Sequence, residues 1–558
     1  MHDVVIRGGL VVDGTGSPGR RADVAIDGAT ITEVGEVTAR GRRELDAGGL
    51  VVTPGFVDPH THLDAQLCWD PAASPTFLHG VTTVVVGICG FGIAPCPPGG
   101  GEYLLRSLEV VEEIPFASAA LGVSFTWESW PEFLDHLDSL PLGVNVAGMV
   151  PHSALRYAVM GDAARERAAT PAERDALARV LRSALGAGAL GFATSRGPNH
   201  NDAFGGPVPS RLADDAEMRA LVAECRGRPW QINVETKFAG DEPALLAEVG
   251  RYVEWTEAAG ARLTWTPFLA EPGIDTWKRV LASNRAANER VPVAPQVISQ
   301  PVTATLRFDR PSLARAIAGW EHAMARFFDA EPAPRRDLLH DDHFRAELRS
   351  APEDCGRMLA PCYDTWTIAS SRSPELIGRD VASIARDRGV HPSDALCDIV
   401  AADELTTELQ VPVVNRDRDA SAALVADEHT LVGLGDAGAH VTSVTNYTYP
   451  TDVIARLARD EGAISLEGAV ERLTSRPARF LGVPDRGVLR AGAPGDVTVV
   501  DLDRLAIAPL RVVNDLPGGA HRLWRGAQGY VAVVVNGVVS VLDDRPTGER
   551  GGATLRPR

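Results

Sequence analysis

Leu50-Val51-Val52-Thr53-Pro54-Gly55-Phe56-Val57-Asp58-Pro59-His60-Thr61-His62 decides how this chain is read. A Gly-containing lead opens into a short apolar run that predicts a buried strand. The two histidines fall where that strand should open into a loop. Side chains alternate along a strand with period two, so His60 and His62 share a face. Two neutral imidazoles side by side can hold one divalent metal. A bare H-x-H also arises by chance; the strand leading into this one favours ligands.

Downstream, strands and helices alternate. Gly80–Gly87 is a β-branched run, and Arg174–Gly186 has helical periodicity. Ala189–Thr194 reads as a strand, Pro243–Gly260 as a helix and Ala261–Thr266 as a strand. Repeated strand–helix units predict a parallel α/β domain, and a (β/α)8 barrel needs ~250 residues plus insertions. The alternation breaks near residues 300–363, which read as a lid inserted over the barrel mouth. The two ends of the chain resemble each other: Val4–Gly14 and Ala22–Val34 are strand–turn–strand, as are Asp496–Asp501 and Tyr530–Val539. The expected division is therefore a small β-sandwich from 1–54 and 480–558, and a barrel over 55–479. Two separate β extensions are the alternative.

The chain has 558 residues, 45% hydrophobic and 23% charged, with a formal net charge of −19. That charge argues against a sequence-independent nucleic-acid binder, which needs clustered Lys and Arg. No apolar run approaches ~18 residues, so no membrane span is expected. Met1-His2-Asp3-Val4-Val5-Ile6-Arg7 has no basic segment followed by an apolar one, so no secretory leader is expected. Seven cysteines without a CxxC pair fit a reduced, cytoplasmic protein rather than a disulfide scaffold. A small-molecule substrate is the expected partner, and a homo-oligomer is left open.

Longer motifs make a resemblance specific. The run Val52–His62 and the C-terminal Arg486-Gly487-Val488-Leu489-Arg490-Ala491-Gly492-Ala493-Pro494-Gly495-Asp496 resemble the amidohydrolase superfamily. His79–Gly90, Pro151–Arg156, Gly188–Ser195 and Ile368–Ser371 are similar to its N-acyl-D-amino-acid deacylase branch. The resemblance implies a (β/α)8 barrel with a terminal β-sandwich, in agreement with the pattern above. It implies His60, His62 and Cys89 as metal ligands. It implies Asp436, in Leu434-Gly435-Asp436-Ala437-Gly438-Ala439-His440, as a further ligand and general base of a linear-amide hydrolase. A carboxylate beside a metal-activated water can take its proton and hand it to the departing nitrogen. Each residue has a plainer reading: Cys89 as a small core residue, Asp436 as a cap. His152, His200 and His440 are the substrate-contact candidates. His152 competes with a structural role, as does His79; His440 could equally bond a backbone carbonyl.

The chain also departs from that branch. Asn233 and Thr266 stand where two strand-end histidines are expected, and neither is a good zinc ligand. One divalent ion, zinc, is therefore expected rather than two, on His60, His62, Asp436 and Cys89. Substitution by Glu235 or Lys237 is a less favoured alternative, and a reshaped site with cyclase, lyase or other non-hydrolytic chemistry a third. A non-catalytic binding protein on a degenerate barrel also stays open. Gly433-Leu434-Gly435-Asp436-Ala437-Gly438 fits the dinucleotide pattern G-x-G-x-x-G, but no good helix follows and a carboxylate sits where a pyrophosphate would lie. Cys89-x6-Cys96 has no second pair for a zinc finger, and no G-x-S-x-G elbow signals a serine nucleophile.

Overall fold

Eight parallel strands carry the molecule: Phe56–Asp58, Val81–Val86, Asn145–Pro151, Gly191–Ser195, Pro229–Asn233, Arg262–Thr266, Val293–Val297 and Leu431–Val432. This computed structural model describes residues 1–236, 241–309, 313–357, 359–483 and 485–557. The strands are hydrogen-bonded in a row from the first to the seventh, with the eighth beside the seventh. A parallel bridge between Thr61 and Ala437 joins the two ends just beyond the first and eighth strands, so the sheet closes as a (β/α)8 barrel. The strands read as near-continuous apolar runs because helices cover their outer face.

The intervening helices start where their sequences say they should. Ser129 and Glu132 form a capping box on Trp130–Ser139, and Thr170 and Glu173 form one on Pro171–Gly186. Each satisfies N–H groups that the first helical turn leaves unpaired. Glu242–Ala259 stops at Gly260, whose φ of +64° suits a residue without Cβ.

Both chain ends meet in one nine-stranded sheet. Val51–Pro54 pairs parallel with His2–Val11 on one side and antiparallel with Val497–Val500 on the other, with Val52 opposite Val499. The same strand runs on into the first barrel strand, so the β domain is stitched to the barrel at the point that presents the histidines.

Between the seventh and eighth strands, Val302–Arg307, Thr367–Ser370 and Glu408–Val414 form a separate antiparallel sheet. It extends past residue 363 and carries its own apolar core, including Trp320, Phe327, Phe344, Tyr363 and Trp366. Burying side chains of this size is worth roughly 1.5–3 kcal/mol each, enough to hold the insertion as a satellite of the barrel. Cys355 and Cys362 are disulfide-bonded within it; the expectation of wholly reduced cysteines is corrected here, because the intervening loop brings the two sulfurs together. The other five cysteines are free. No helix among the described residues is long and apolar enough to cross a membrane.

Candidate metal centre

Backbone pairing aims the two histidines. Thr61 is held by its N–H and hydroxyl to Val85 O at 3.1 and 2.8 Å, and His62 N–H donates to Ala437 O at 2.7 Å. The rings of His60 and His62 stand 5.4 Å apart, edge to face. The eighth strand can approach this closely because Gly438 has φ +89° and a Cβ there would lie 2.6 Å from His62 O. Gly433 and Gly435 likewise make room for Pro59 and Tyr449. The glycines of the apparent dinucleotide pattern therefore serve packing around His62.

Cys89 enters from the second strand on a tight turn. It has φ +55° between Gly87 at +76° and Gly90 at +77°, and its N–H donates to Gln231 Oε1 at 2.8 Å. Leu434, Asp436 and His440 also adopt left-handed backbone. Such residues cost about 1–3 kcal/mol each and cluster where function demands a geometry. All four line one cavity of about 340 Å³ at the C-terminal ends of the strands, with His60, His62, Glu112, Asn199, His200, Asn233 and Thr266.

The donor atoms converge. One ligand atom from each of His60, His62 and Cys89 lies within 4.8 Å of the others. Asp436 Oδ1 is 3.1 Å from His60 Nε2 and 3.8 Å from His62 Nε2, and Cys89 Sγ is 3.5 Å from His60 Nε2. A tetrahedral zinc with bonds of ~2.0–2.3 Å spaces its ligands about 3.3–3.6 Å apart. The separations of Asp436 and of Cys89 from His60 lie near that spacing, and imidazole, thiolate and carboxylate are the ligand types that ion takes. Burial alone would raise the Asp436 carboxyl, but the hydrogen bond and field of His60, then of His62, outweigh it and hold it below the usual range.

A second layer holds the first. His60 Nδ1 bonds Gln296 Oε1 on the seventh strand. His62 Nδ1 lies 3.3 Å from Glu112 Oε1 at the end of the helix Gly101–Glu112. Burial pushes Glu112 up to about 8. Such partners orient a ligating ring and set its tautomer. Glu112, Gln231 and Gln296 escaped the sequence reading. Two carried a faint signal, since a Gln inside an apolar strand (Trp230-Gln231-Ile232, Pro295-Gln296-Val297) is unusual; Glu112 carried none, because only folding brings that helix end to His62.

The substrate candidates divide. His440 lines the cavity near Glu113 at 3.7 Å and Glu112 at 3.9 Å; burial opposes its charge, but Glu113, Glu112 and Asp436 raise it to about 9. His200 also lines it; burial, then the fields of His440 and Arg211, lower it to about 4. His152 does not reach the cavity and is corrected as a substrate contact. It is fully buried, with Nδ1 2.8 Å from Thr194 Oγ1 and Nε2 2.8 Å from Glu217 Oε1. His79 is similarly engaged by Thr451 and Arg525 O. Asn233 and Thr266 are register partners that face the cavity at the fifth and sixth strand ends. Glu235 is exposed and absent from the lining, so it does not replace them; Lys237 lies outside the described residues.

Comparison with known proteins agrees with this fold. The sequence model of the Amidohydrolase family matches residues 43–319 and 376–541, leaving out much of the insertion. The chain is 29% identical over 563 residues to an N-acyl-D-glutamate deacylase of Alcaligenes xylosoxydans xylosoxydans, covering 99% of this chain and 96% of that protein. It also resembles the N-acyl-D-glutamate deacylase from Bordetella bronchiseptica, solved with zinc and a phosphonate mimic of the tetrahedral intermediate. That likeness has 27% identity and a TM-score of 0.65, over 100% of this chain and 99% of the other. A D-aminoacylase with a binuclear metal centre, characterised by one-metal activation and second-metal attenuation, matches at 25% identity and a TM-score of 0.66 over 100% of both chains. This chain belongs to the amidohydrolase family, in its D-aminoacylase-like branch. Within that class it is a metal-dependent hydrolase of linear amide C–N bonds.

Proposed function

We propose that this chain is an N-acyl-amino-acid deacylase working with one divalent ion, zinc, held by His60, His62, Cys89 and Asp436. The observation that carries the reading is the cluster of His60, His62 and Cys89, with Asp436 3.1 Å from His60, in one cavity whose fifth- and sixth-strand ends offer only an amide and a hydroxyl. The same proposal keeps 1–54 with 480–558 as the β domain and 55–479 as the barrel.

When bound, the ion polarises the amide carbonyl and acidifies water towards a pKa of ~7. Asp436, ionised at neutral pH, takes the proton of the attacking water. It then returns that proton to the nitrogen as the C–N bond breaks, releasing a carboxylate and an amine. His200 stays neutral. Gly197 N–H donates to Ser195 Oγ at 3.0 Å, so the serine hydrogen is free for His200 Nδ1 at 2.6 Å. That leaves the ring proton on Nε2, where it can bond the substrate. His440, cationic at neutral pH, meets a substrate carboxylate. Gln296 and Glu112 keep the two ligating imidazoles in register.

The test is amine release from N-acyl amino acids of both chiralities by the metal-loaded protein, run in 18O-labelled water with elemental analysis. One equivalent of divalent metal and one labelled oxygen in the released acid are expected. Two tightly held equivalents would overturn the single-ion reading; amine release without label would overturn hydrolysis in favour of altered chemistry.

A further inference from the structure

A second polar cavity, of about 290 Å³, lies across the ribbon formed by Val302–Arg307 and Glu408–Val414. Val302 and Val414 line the reaction cavity, whereas Thr303 and Pro412 line this one. Its charged lining is three arginines, Arg418, Arg456 and Arg525, against one carboxylate, Asp452, in a chain whose net charge is −19. Two of the arginines are committed. Arg456 grips Asp452 at 2.7 and 2.9 Å and also bonds Glu461 and Ser299 O. Arg418 bonds Glu461 at 2.9 Å.

Arg525 is different. Its backbone is fixed, its N–H donating to Tyr447 Oη at 2.8 Å and its carbonyl meeting His79 Nε2 at 3.1 Å. Its guanidinium has no carboxylate partner among the described residues, and Nε is buried without any hydrogen-bond partner. Burial pushes its pKa below the ordinary value. A largely buried cation is costly unless paired, and a guanidinium is shaped to hold an oxyanion through two parallel N–H bonds. The polar residues Thr365, Thr367, Thr445, Gln300 and Asn446 line the same cavity, although the Thr365 hydroxyl already donates to Cys362 O and the Asn446 amide to Pro301 O. Such a wall suits a hydrophilic anion and not an apolar ligand.

We propose that this cavity binds a small oxyanion, with Arg525 as its charged anchor. The site is separate from the metal centre and needs no assumption about the substrate. A carboxylate and inorganic phosphate share the recognised chemistry, so both are probes.

Isothermal titration of the metal-loaded protein with sodium acetate and, separately, with inorganic phosphate tests the proposal. Saturable binding of at least one is expected, and whichever binds identifies the source. Arg525→Gln should weaken it at least tenfold, Thr367→Val about threefold or more, and Asp436→Asn should leave it in place. The bound anion should raise the unfolding midpoint of the wild type but not of Arg525→Gln, whose amide hydrolysis stays at the wild-type rate. Absence of saturable binding for both anions, or binding unchanged in both Arg525→Gln and Thr367→Val, would overturn the assignment. Loss of binding on removing the metal with a chelator, with Arg525→Gln unaffected, would place the anion at the metal instead.

Discussion

Replacing Glu217 by Gln should cost stability and spare catalysis. Glu217 Oε1 lies 2.8 Å from His152 Nε2, and its other oxygen bonds Arg156; all three side chains are fully buried. Burial alone would raise the Glu217 pKa, but the hydrogen bond and charge of His152, then of Arg156, bring it down to about 2 from an ordinary 4.5. That displacement, at ~1.4 kcal/mol per pH unit, corresponds to about 3 kcal/mol. Breaking a buried pair by removing one charge costs about 3–5 kcal/mol, because the remaining ion is stranded. Glu217→Gln strands Arg156 in this way, so the thermal midpoint at pH 7 should fall by on the order of 5 °C. The folded pKa is depressed, so the contribution is fully present above about 4.5 and fades as pH falls towards 2. The gap between wild type and variant should therefore hold from pH 7 to about 5 and narrow below that. Circular dichroism melts across this range, with kcat/KM at pH 7, provide the check. An unchanged midpoint with a large loss of kcat/KM would refute the reasoning and return His152 to the substrate.

Asp436→Asn should lower kcat by roughly 10²–10⁴-fold, the usual worth of a positioned base, while His60, His62 and Cys89 still retain the ion; activity within tenfold of wild type would show that another group takes the proton. The double variant Asn233→His with Thr266→His places two imidazoles on register-paired strand ends beside Cys89. Elemental analysis should then rise from one to two divalent ions per chain, and a value still at one would mean that these positions do not face a second site. Gly438→Ala forces a methyl to within 2.6 Å of His62 O at a φ of +89°. It should lower both the melting midpoint and metal retention against a chelator, and unchanged values would dismiss the close-approach argument.

The barrel and the terminal β domain were legible because each rests on local pattern, whereas Cys89 and Asp436 were named only through the family resemblance. Period-two alternation places His60 and His62 on one face; β-branched runs and capped helices predict the strand–helix repeat. Asn233 and Thr266 were readable as departures, and the structure brings them to the cavity together. His152 misled, because a histidine after a strand looks the same whether its ring meets a substrate or a buried glutamate 65 residues away. The insertion runs on to Val414 because its core is assembled from segments that are only weakly patterned on their own.

By itself, then, the amino-acid order determined the fold class and the imidazole pair, since these follow from side-chain chemistry and short-range periodicity; Asp436 was implied by the family resemblance, and the fold brings it to His60. Tertiary structure alone decided which polar groups meet. Glu112 beside His62, Gln296 on His60 and the Arg525 guanidinium, which meets no carboxylate among the described residues, are separated in sequence from what surrounds them. Only closure of the barrel and docking of the insertion exclude water around these groups, and that exclusion is what gives a buried charge or hydrogen bond its energetic weight.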